Sequence, residues 1–350
     1  MVLLAPSNVQ PSDLPVPDLG LSPTHAPGAA APPPILPLAF TEERPFWSVM
    51  IPVYEAPEDY LRETLASVLS QDPGAAAMQI EVIDNCSTIR RPDDVVREMG
   101  GGRVLLHRQP RNVGMAGNFN ECIRRARGRW VHILHADDTV RPGFYDHLHR
   151  AIESNPGVAG ALCRTIYMDA DSQWTGLSEL EGRSSGLLDE GFAGRQLLDQ
   201  RVQFASIVVA RETYERLGGF RGTLAHCMDW DMWKRIATYG TLCYVPEPLA
   251  CYRLHPSSDS SRLMRSGANV DDERRSIRVS CAELPLPDPA RMRRAAYRAA
   301  GVRAARRARV LWREGDRLAA WRQVAEALRC SLAPAVLARS LLFVATTIVH

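Results

Sequence analysis

Trp130-Val131-His132-Ile133-Leu134-His135-Ala136-Asp137-Asp138 is the stretch whose reading decides the fold. Its first five residues form a short, mostly apolar run of the length of a buried strand. Two adjacent carboxylates then stand at the exit. Burying a carboxylate is costly unless a counter-charge is present. A divalent metal holding a diphosphate is one such counter-charge. The same pair would also suit a cap for a helix entered at Pro142, or the start of a turn. The nine residues leave both readings open.

Working outward, Trp47–Val53 predicts a strand that stops at Pro52. Pro57, Glu58 and Asp59 suit a first helical turn, and Leu61, Leu65, Val68 and Leu69 repeat at helical spacing. Gln79–Ile83 predicts a second strand closing on Asp84-Asn85-Cys86-Ser87, and Arg103–His107 a third. Asn118–Arg127 reads as a helix with Gly128 at its C-cap, before the fourth strand at Trp130–Leu134. Strands alternating with helices predict an α/β layer fold on a mixed, mostly parallel sheet. In such sheets ligands bind beyond the carboxyl ends of the strands. Three ends carry polar clusters: Tyr54-Glu55, Asp84-Asn85, and His135 to Asp138.

Later elements are a strand at Ser206–Ala210, a helix at Glu212–Leu217, a helix from Asp229 to about Tyr239, and strands at Leu242–Val245 and Leu249–Leu254. Beyond Pro289 the chain is rich in Ala and Arg and reads as helical.

Composition bounds the function. The 350 residues are 45% hydrophobic and 23% charged, which is ordinary globular usage. The net charge of +2 is unevenly placed: residues 291–329 carry twelve Arg against Glu314, Asp316 and Glu326. No nucleic-acid partner is expected. The eight cysteines form no CxxC pair and mostly lie in apolar runs, so reduced, buried thiols and a cytoplasmic setting are expected. Residues 1–40 hold ten prolines and no Lys or Arg, which predicts a solvated, disordered tail over 1–45 without a secretory leader. No run of 18 apolar residues exists, so no spanning helix is expected.

Taken in order, the motifs resemble those of the family 2 glycosyltransferases. They are Val49-Met50-Ile51-Pro52-Val53-Tyr54, Leu65 to Gln71, Val82-Ile83-Asp84-Asn85-Cys86-Ser87, Arg111-Asn112-Val113-Gly114-Met115-Ala116-Gly117-Asn118, His135-Ala136-Asp137-Asp138, Met228-Asp229-Trp230-Asp231, and Tyr252-Arg253-Leu254-His255-Pro256. Each is weak alone; the ordered set over residues 46–260 is specific. The resemblance implies a Rossmann-like, three-layer GT-A domain over 46–270, followed by an Arg-rich helical extension over 271–350. It also implies an inverting, metal-dependent transfer of sugar from a nucleotide-diphosphate sugar to a saccharide or lipid-linked acceptor, in surface polysaccharide or glycolipid assembly.

Carried onto this chain, the resemblance gives a donor-binding set of Pro52, Val53, Tyr54, Glu55, Asp84, Asn85, Asn112, Gly114, Asn118, His135, Ala136 and Asp137. It places Mg²⁺ or Mn²⁺ on Asp137, with Asp138 ligating, orienting water or capping. His135 stands where the family usually has the first aspartate of DxD, and direct ligation of a hard cation by its imidazole is the less favoured reading. His255 reaches the metal or diphosphate, or is a loop histidine bonded to backbone. Asp229 is the candidate general base; it would also serve as a first-turn acid favoured by the helix dipole. Met228 replaces the family's glutamate, and Asn85 its carboxylate.

Two other classes compete. A GT-A nucleotidyltransferase would open on a glycine-rich basic loop, where this chain has Ile51-Pro52-Val53-Tyr54-Glu55. A non-catalytic sugar- or nucleotide-binding protein of the same fold would tolerate the replaced motif residues. At the C-terminus, the Arg-rich segment precedes the apolar Ser340 to Ala345 and Ile348-Val349. That pairing suits either peripheral attachment to an anionic membrane at its inner face or packing back on the domain.

Overall fold

The computed structural model describes residues 30–39 and 43–348. Strand β1 (Trp47–Val53) lies between β2 (Met78–Asp84) and β4 (Trp130–Ile133), parallel to both, and β3 (Leu105–Arg108) extends the parallel set beyond β2. The sheet continues from β4 through β9 (Ile207–Ala210), β6 (Gly160–Met168) and β10 (Leu242–Arg253) to the short β5 (Thr139–Val140). Strand β9 is antiparallel to both neighbours, so β6 and β10 again run with β1. β7 (Trp174–Leu177) and β8 (Gly186–Leu187) hang from β6 and β10. This is the mixed, mostly parallel sheet expected.

Alternation along β1 explains the layers. Trp47, Val49, Ile51 and Val53 enter one core with Leu61, Leu65 and Val68 of α1 (Glu58–Leu69) and Leu148 of α4 (Phe144–Glu153). Met50 points to the other face, into a core with Phe119 of α3 (Gly114–Arg125) and Trp233 of α7 (Met228–Tyr239). A period of two thus puts helices on both faces. Pro52 is accommodated because β4 pairs with β1 only from Trp47 to Met50. Past that rung the missing N–H is no loss.

Gly128 differs from its expected role. Helix α3 is C-capped at Ala126. Gly128 instead lies against β1, where a Cβ would come within 2.6 Å of the Ser48 nitrogen. Its own N–H donates to Ser48 Oγ at 2.7 Å. Close backbone approach, not helix termination, requires glycine here. Asp137 and Asp138 do not cap the helix after Pro142 either, because α4 starts from Gly143 with φ of 88°.

The predicted tail is partly packed. Within 30–39, Ile35 is buried in the second core. The Pro33 carbonyl accepts from Gly219 N–H, that of Leu36 from Arg211, and that of Ala30 from Arg221. Residues 1–29, 40–42 and 349–350, and the expectations that fall on them, lie outside the described residues.

After β10 come α8 (Asp259–Ser266), α9 (Ala268–Glu283), α10 (Pro289–Arg313), α11 (Arg317–Cys330) and α12 (Pro334–Ile348). The expected boundary near 270 falls inside α9. This helix is bound to the sheet domain: Asp272 Oδ2 accepts the N–H groups of His226 and Cys227, at the start of α7. Ser276 holds Lys234, and Glu283 pairs with Arg221. Among the described residues no helix is long and apolar enough to cross a membrane.

Candidate active site

A cavity of about 620 Å³ opens at the carboxyl ends of β1, β2 and β4. Pro52, Val53, Tyr54, Glu55, Asn85, Asn112, Gly114, Asn118, His135, Ala136, Asp137, Asp229 and His255 all line it. Of the expected site residues, Asp84 and Asp138 do not.

Asp84 is turned away for a specific reason. Its register partner on β3 is Arg108, whose guanidinium donates to Asp84 Oδ2 at 2.7 Å. Oδ1 accepts from Ser87 N–H. The carboxylate therefore shapes the loop after β2 rather than facing the cavity.

That loop is held from both sides. Glu55 accepts the N–H groups of Thr88, Ile89 and Arg90, bonds that draw its carboxyl down to about 2, against the pull of burial. Asn85 Nδ2 donates to Asn112 Oδ1 at 3.0 Å, and its Oδ1 accepts from Val113 N–H at 2.9 Å. Asn118 Nδ2 donates to the Ile83 carbonyl. Glu55 and Cys86 both sit at positive φ, 51° and 66°, the left-handed strain that tends to collect at functional loops. Tyr54, 55% exposed, presents its ring at the rim.

At the exit of β4, donor atoms of His135, Asp137 and Asp138 lie within 4.8 Å of one another. The His135 ring stacks on Phe119, with centroids 5.1 Å apart, and burial holds its pKa down. Asp138 is buried; Oδ1 accepts the N–H of Arg253 at 2.9 Å. Burial, reinforced by the neighbouring Asp137, raises its pKa well above the usual range. Burial also acts on Asp137, but the bond from His255 and the fields of His135 and His255 outweigh it and lower the pKa. His255 Nε2 meets Asp137 Oδ2 at 3.0 Å and its Nδ1 meets Ser257 Oγ at 2.9 Å, so its partners are side chains rather than backbone.

These residues fit a divalent cation. Asp138 Oδ2 and His135 Nε2 are buried without a hydrogen-bond partner, a costly state that a cation would relieve. Two carboxylates supply the charge that Mg²⁺ or Mn²⁺ needs. Arg253 supports the group from behind: its guanidinium donates to the Asp137 carbonyl at 2.8 Å and to Glu63, and lies over Tyr60.

Across the cavity, Asp229 lies in the first turn of α7, whose N-cap position is Cys227. Oδ1 accepts from Trp230 N–H at 2.6 Å and Oδ2 from Gln200 Nε2 at 2.5 Å. Burial dominates these bonds and raises the carboxyl to about 6. Asp231, two residues on, is committed to Arg221 and Arg235 in the core. Gln200, Gln203 and Phe204 were not expected at the site. Gln200 ends, and Gln203 and Phe204 follow, the stretch from Ile166 to Gln200 that is expected to hold acceptor contacts but carries no readable motif; the bond from Gln200 to Asp229 joins residues distant in sequence.

Residues 48–207 match the family described as Glycosyl transferase family 2. An uncharacterized protein of Mycobacterium tuberculosis is 26% identical over 66% of this chain and 74% of its own. The O-antigen biosynthesis protein RfbC of Myxococcus xanthus is 26% identical over 73% of this chain, which spans only 20% of that protein. S. aureus TarS 1-349 in complex with UDP-GlcNAc superposes with a TM-score of 0.58 at 14% identity, over 81% of this chain and 91% of that one. The mannosyltransferase PcManGT from Pyrobaculum calidifontis, in complex with GDP-Man and Mn²⁺, gives 0.54 at 19% identity, over 91% and 83%. At such identities the likeness shows the fold.

Proposed function

We propose, from the premise that residues 48–207 are a family 2 glycosyltransferase domain in a GT-A fold, that the chain moves a sugar from a nucleoside-diphosphate sugar to an acceptor hydroxyl with inversion. One observation carries the reading: a single cavity joins the carboxylate-imidazole group after β4 to the carboxylate of Asp229 on the facing helix.

The donor diphosphate would lie along His135, Ala136 and Asp137, with the base near Tyr54, Asn85 and Asn112. Asp137, Asp138 and His135 would hold the divalent cation, and His255 would orient Asp137. Bound there, the cation would neutralise charge on the departing nucleoside diphosphate. Asp229, its carboxyl raised to about 6 by burial, suits removal of the acceptor proton as the hydroxyl attacks opposite the leaving group. Structural neighbours crystallised with UDP-GlcNAc and with GDP-Man and Mn²⁺ support a nucleotide-sugar donor and leave its base open. The Myxococcus relative, by its name, supports an acceptor in surface polysaccharide assembly. A thermal-shift series with UDP-GlcNAc and GDP-mannose, each with and without Mn²⁺ or Mg²⁺, tests the donor class. Melting should rise with at least one pair and only when the cation is present. No rise in any combination overturns the reading.

The acceptor side is proposed to meet an anionic membrane from the cytoplasm. Arg313, Arg317, Arg322 and Arg329 are exposed, as are Leu318, Trp321, Leu332 and Leu341. Part of the apolar C-terminus packs inward, because Phe343 is buried between Trp312 and Trp321. The remaining surface combines basic and apolar groups as an interfacial helix does. Full-length protein is expected to float with phosphatidylglycerol vesicles at low salt, and the Leu318→Asp, Leu341→Asp double variant to stay in the pellet fractions. Equal flotation of the two would rule out this surface.

A further inference from the structure

We propose that Gln200 and Arg303 are positioning residues for Asp229, through which the C-terminal helices act on the acceptor side of the cavity. The inference rests on the assignment of Asp229 as the base.

Gln200 lies just beyond α5 (Phe192–Leu198), in a segment outside helix and strand. Its amide supplies the bond to Asp229 Oδ2, while the other carboxylate oxygen is held by the start of α7. One donor outside α7 therefore sets the orientation of the carboxylate. The segment carrying that donor is tied down by α10. Arg303 Nη1 donates to the Leu198 carbonyl at 2.7 Å and lies 3.3 Å from Asp199 Oδ1. The same guanidinium sits 5.2 Å above the ring of Trp230, the residue after Asp229. It is fixed in turn by Glu273, buried on α9, at 2.8 Å. Arg303 thus grips both the Gln200 segment and the helix turn that bears the base.

Only a planar, several-donor cation makes these contacts together. A lysine ammonium is a point charge and would not span the Leu198 carbonyl and Glu273 while covering Trp230. Behind Gln200 a polar cavity of about 170 Å³ is lined by Gln203, His226, Trp230 and Arg307. It gives the amide room to swing once its tether is lost. A general base works only when held within reach of its proton, and small displacements cost large factors in rate.

Asp272 on α9 acts on Asp229 directly, and the cavity behind Gln200 is lined by the charged or titratable groups Asp199, His226, Glu273, Arg303 and Arg307. The Gln200 amide stabilises the ionised carboxylate, so its loss moves the Asp229 titration upward.

The test compares Gln200→Met, Arg303→Lys, Arg303→Met and Asp229→Asn with wild-type full chain. One readout is release of nucleoside diphosphate from UDP-GlcNAc and GDP-mannose with Mn²⁺. The other needs no turnover: ¹³C carboxyl titration, with the Asp229 signal assigned by its loss in Asp229→Asn. Gln200→Met is expected to lower kcat roughly 10- to 100-fold, leave the donor KM within about twofold, and raise the Asp229 midpoint from about 6. Arg303→Met should do the same, with Arg303→Lys intermediate. A fall in melting temperature with unchanged midpoint and unchanged kcat in Gln200→Met would mean a merely structural role and overturn the proposal. If Asp229→Asn keeps its full rate, the base assignment itself is lost and the positioning role with it. If Asp229→Asn loses its rate while Gln200→Met keeps both kcat and midpoint, the positioning proposal alone fails and the base assignment stands.

Discussion

Asp229→Asn is expected to abolish nearly all sugar transfer while leaving donor affinity near its wild-type value. A positioned general base contributes roughly 10²- to 10⁴-fold to rate, and kcat should fall by that factor. The substitution isolates the chemistry. Asn keeps the shape: its one carbonyl oxygen can still accept from Trp230 N–H, and its amide nitrogen can donate to Gln200 once that amide turns its oxygen toward it, so the two partners that hold the native side chain are retained. It removes the ability to take a proton and reverses the direction of one hydrogen bond. The interaction lost is one made in the transition state, so kcat and kcat/KM should drop together with KM little changed. The wild-type pH profile supplies a second check. Burial raises the Asp229 carboxyl to about 6. Below that pH it is protonated and cannot act as base; above it the carboxylate is free. Activity should therefore rise through pH about 6, and the residual activity of Asp229→Asn should show no such limb. Transfer by the variant at close to the wild-type rate would place the base elsewhere.

How much of this was legible in the sequence depends on which physical signal each residue carries. Strands β1, β2 and β4 are apolar runs closed by polar clusters, and the site follows from the rule that ligands gather at such strand ends. Edges shift where tertiary packing decides: α3 begins at Gly114, not Asn118. The sequence reads as two strands, Leu242–Val245 and Leu249–Leu254, on either side of Pro246 and Pro248. The structure has one, Leu242–Arg253, that absorbs them in register shifts between Val245 and Ala250. Helix α9 carries little apolar periodicity because it buries Asn269, Asp272, Glu273 and Ser276, so its packing is written in hydrogen bonds and ion pairs. Of the twelve arginines in 291–329, Arg303 and Arg307 turn inward to Glu273, which no local charge count reveals. Asp84 illustrates the same point. A carboxylate at a strand end looks available until Arg108, opposite it on β3, is seen to take it.

The two adjacent carboxylates after β4 are expected to part company under mutation. Asp137→Ala should remove the metal-dependent component of nucleoside-diphosphate affinity and leave the fold intact. Its side chain is part-exposed and, among the described residues, its one side-chain hydrogen bond is to the buried His255, whose imidazole keeps Ser257 on the other nitrogen after truncation. Replacing groups that merely orient metal ligands typically costs 10- to 100-fold in metal affinity. Loss of a ligand carboxylate should cost about 100-fold or more by that scale. Calorimetry of UDP and of GDP, with and without Mn²⁺, reads this directly: wild type should bind more tightly with the cation, and Asp137→Ala should bind equally weakly either way. Asp138→Ala should differ, because the buried Asp138 Oδ1 accepts the backbone N–H of Arg253. Losing the buried side-chain acceptor leaves an unsatisfied N–H worth about 1–3 kcal/mol, so that variant should lose melting temperature as well as metal response. The contrast is what makes the assignment testable. If Asp137→Ala keeps a full metal-dependent gain in affinity, the cation is held by other groups and the reading of this strand exit as a metal site fails.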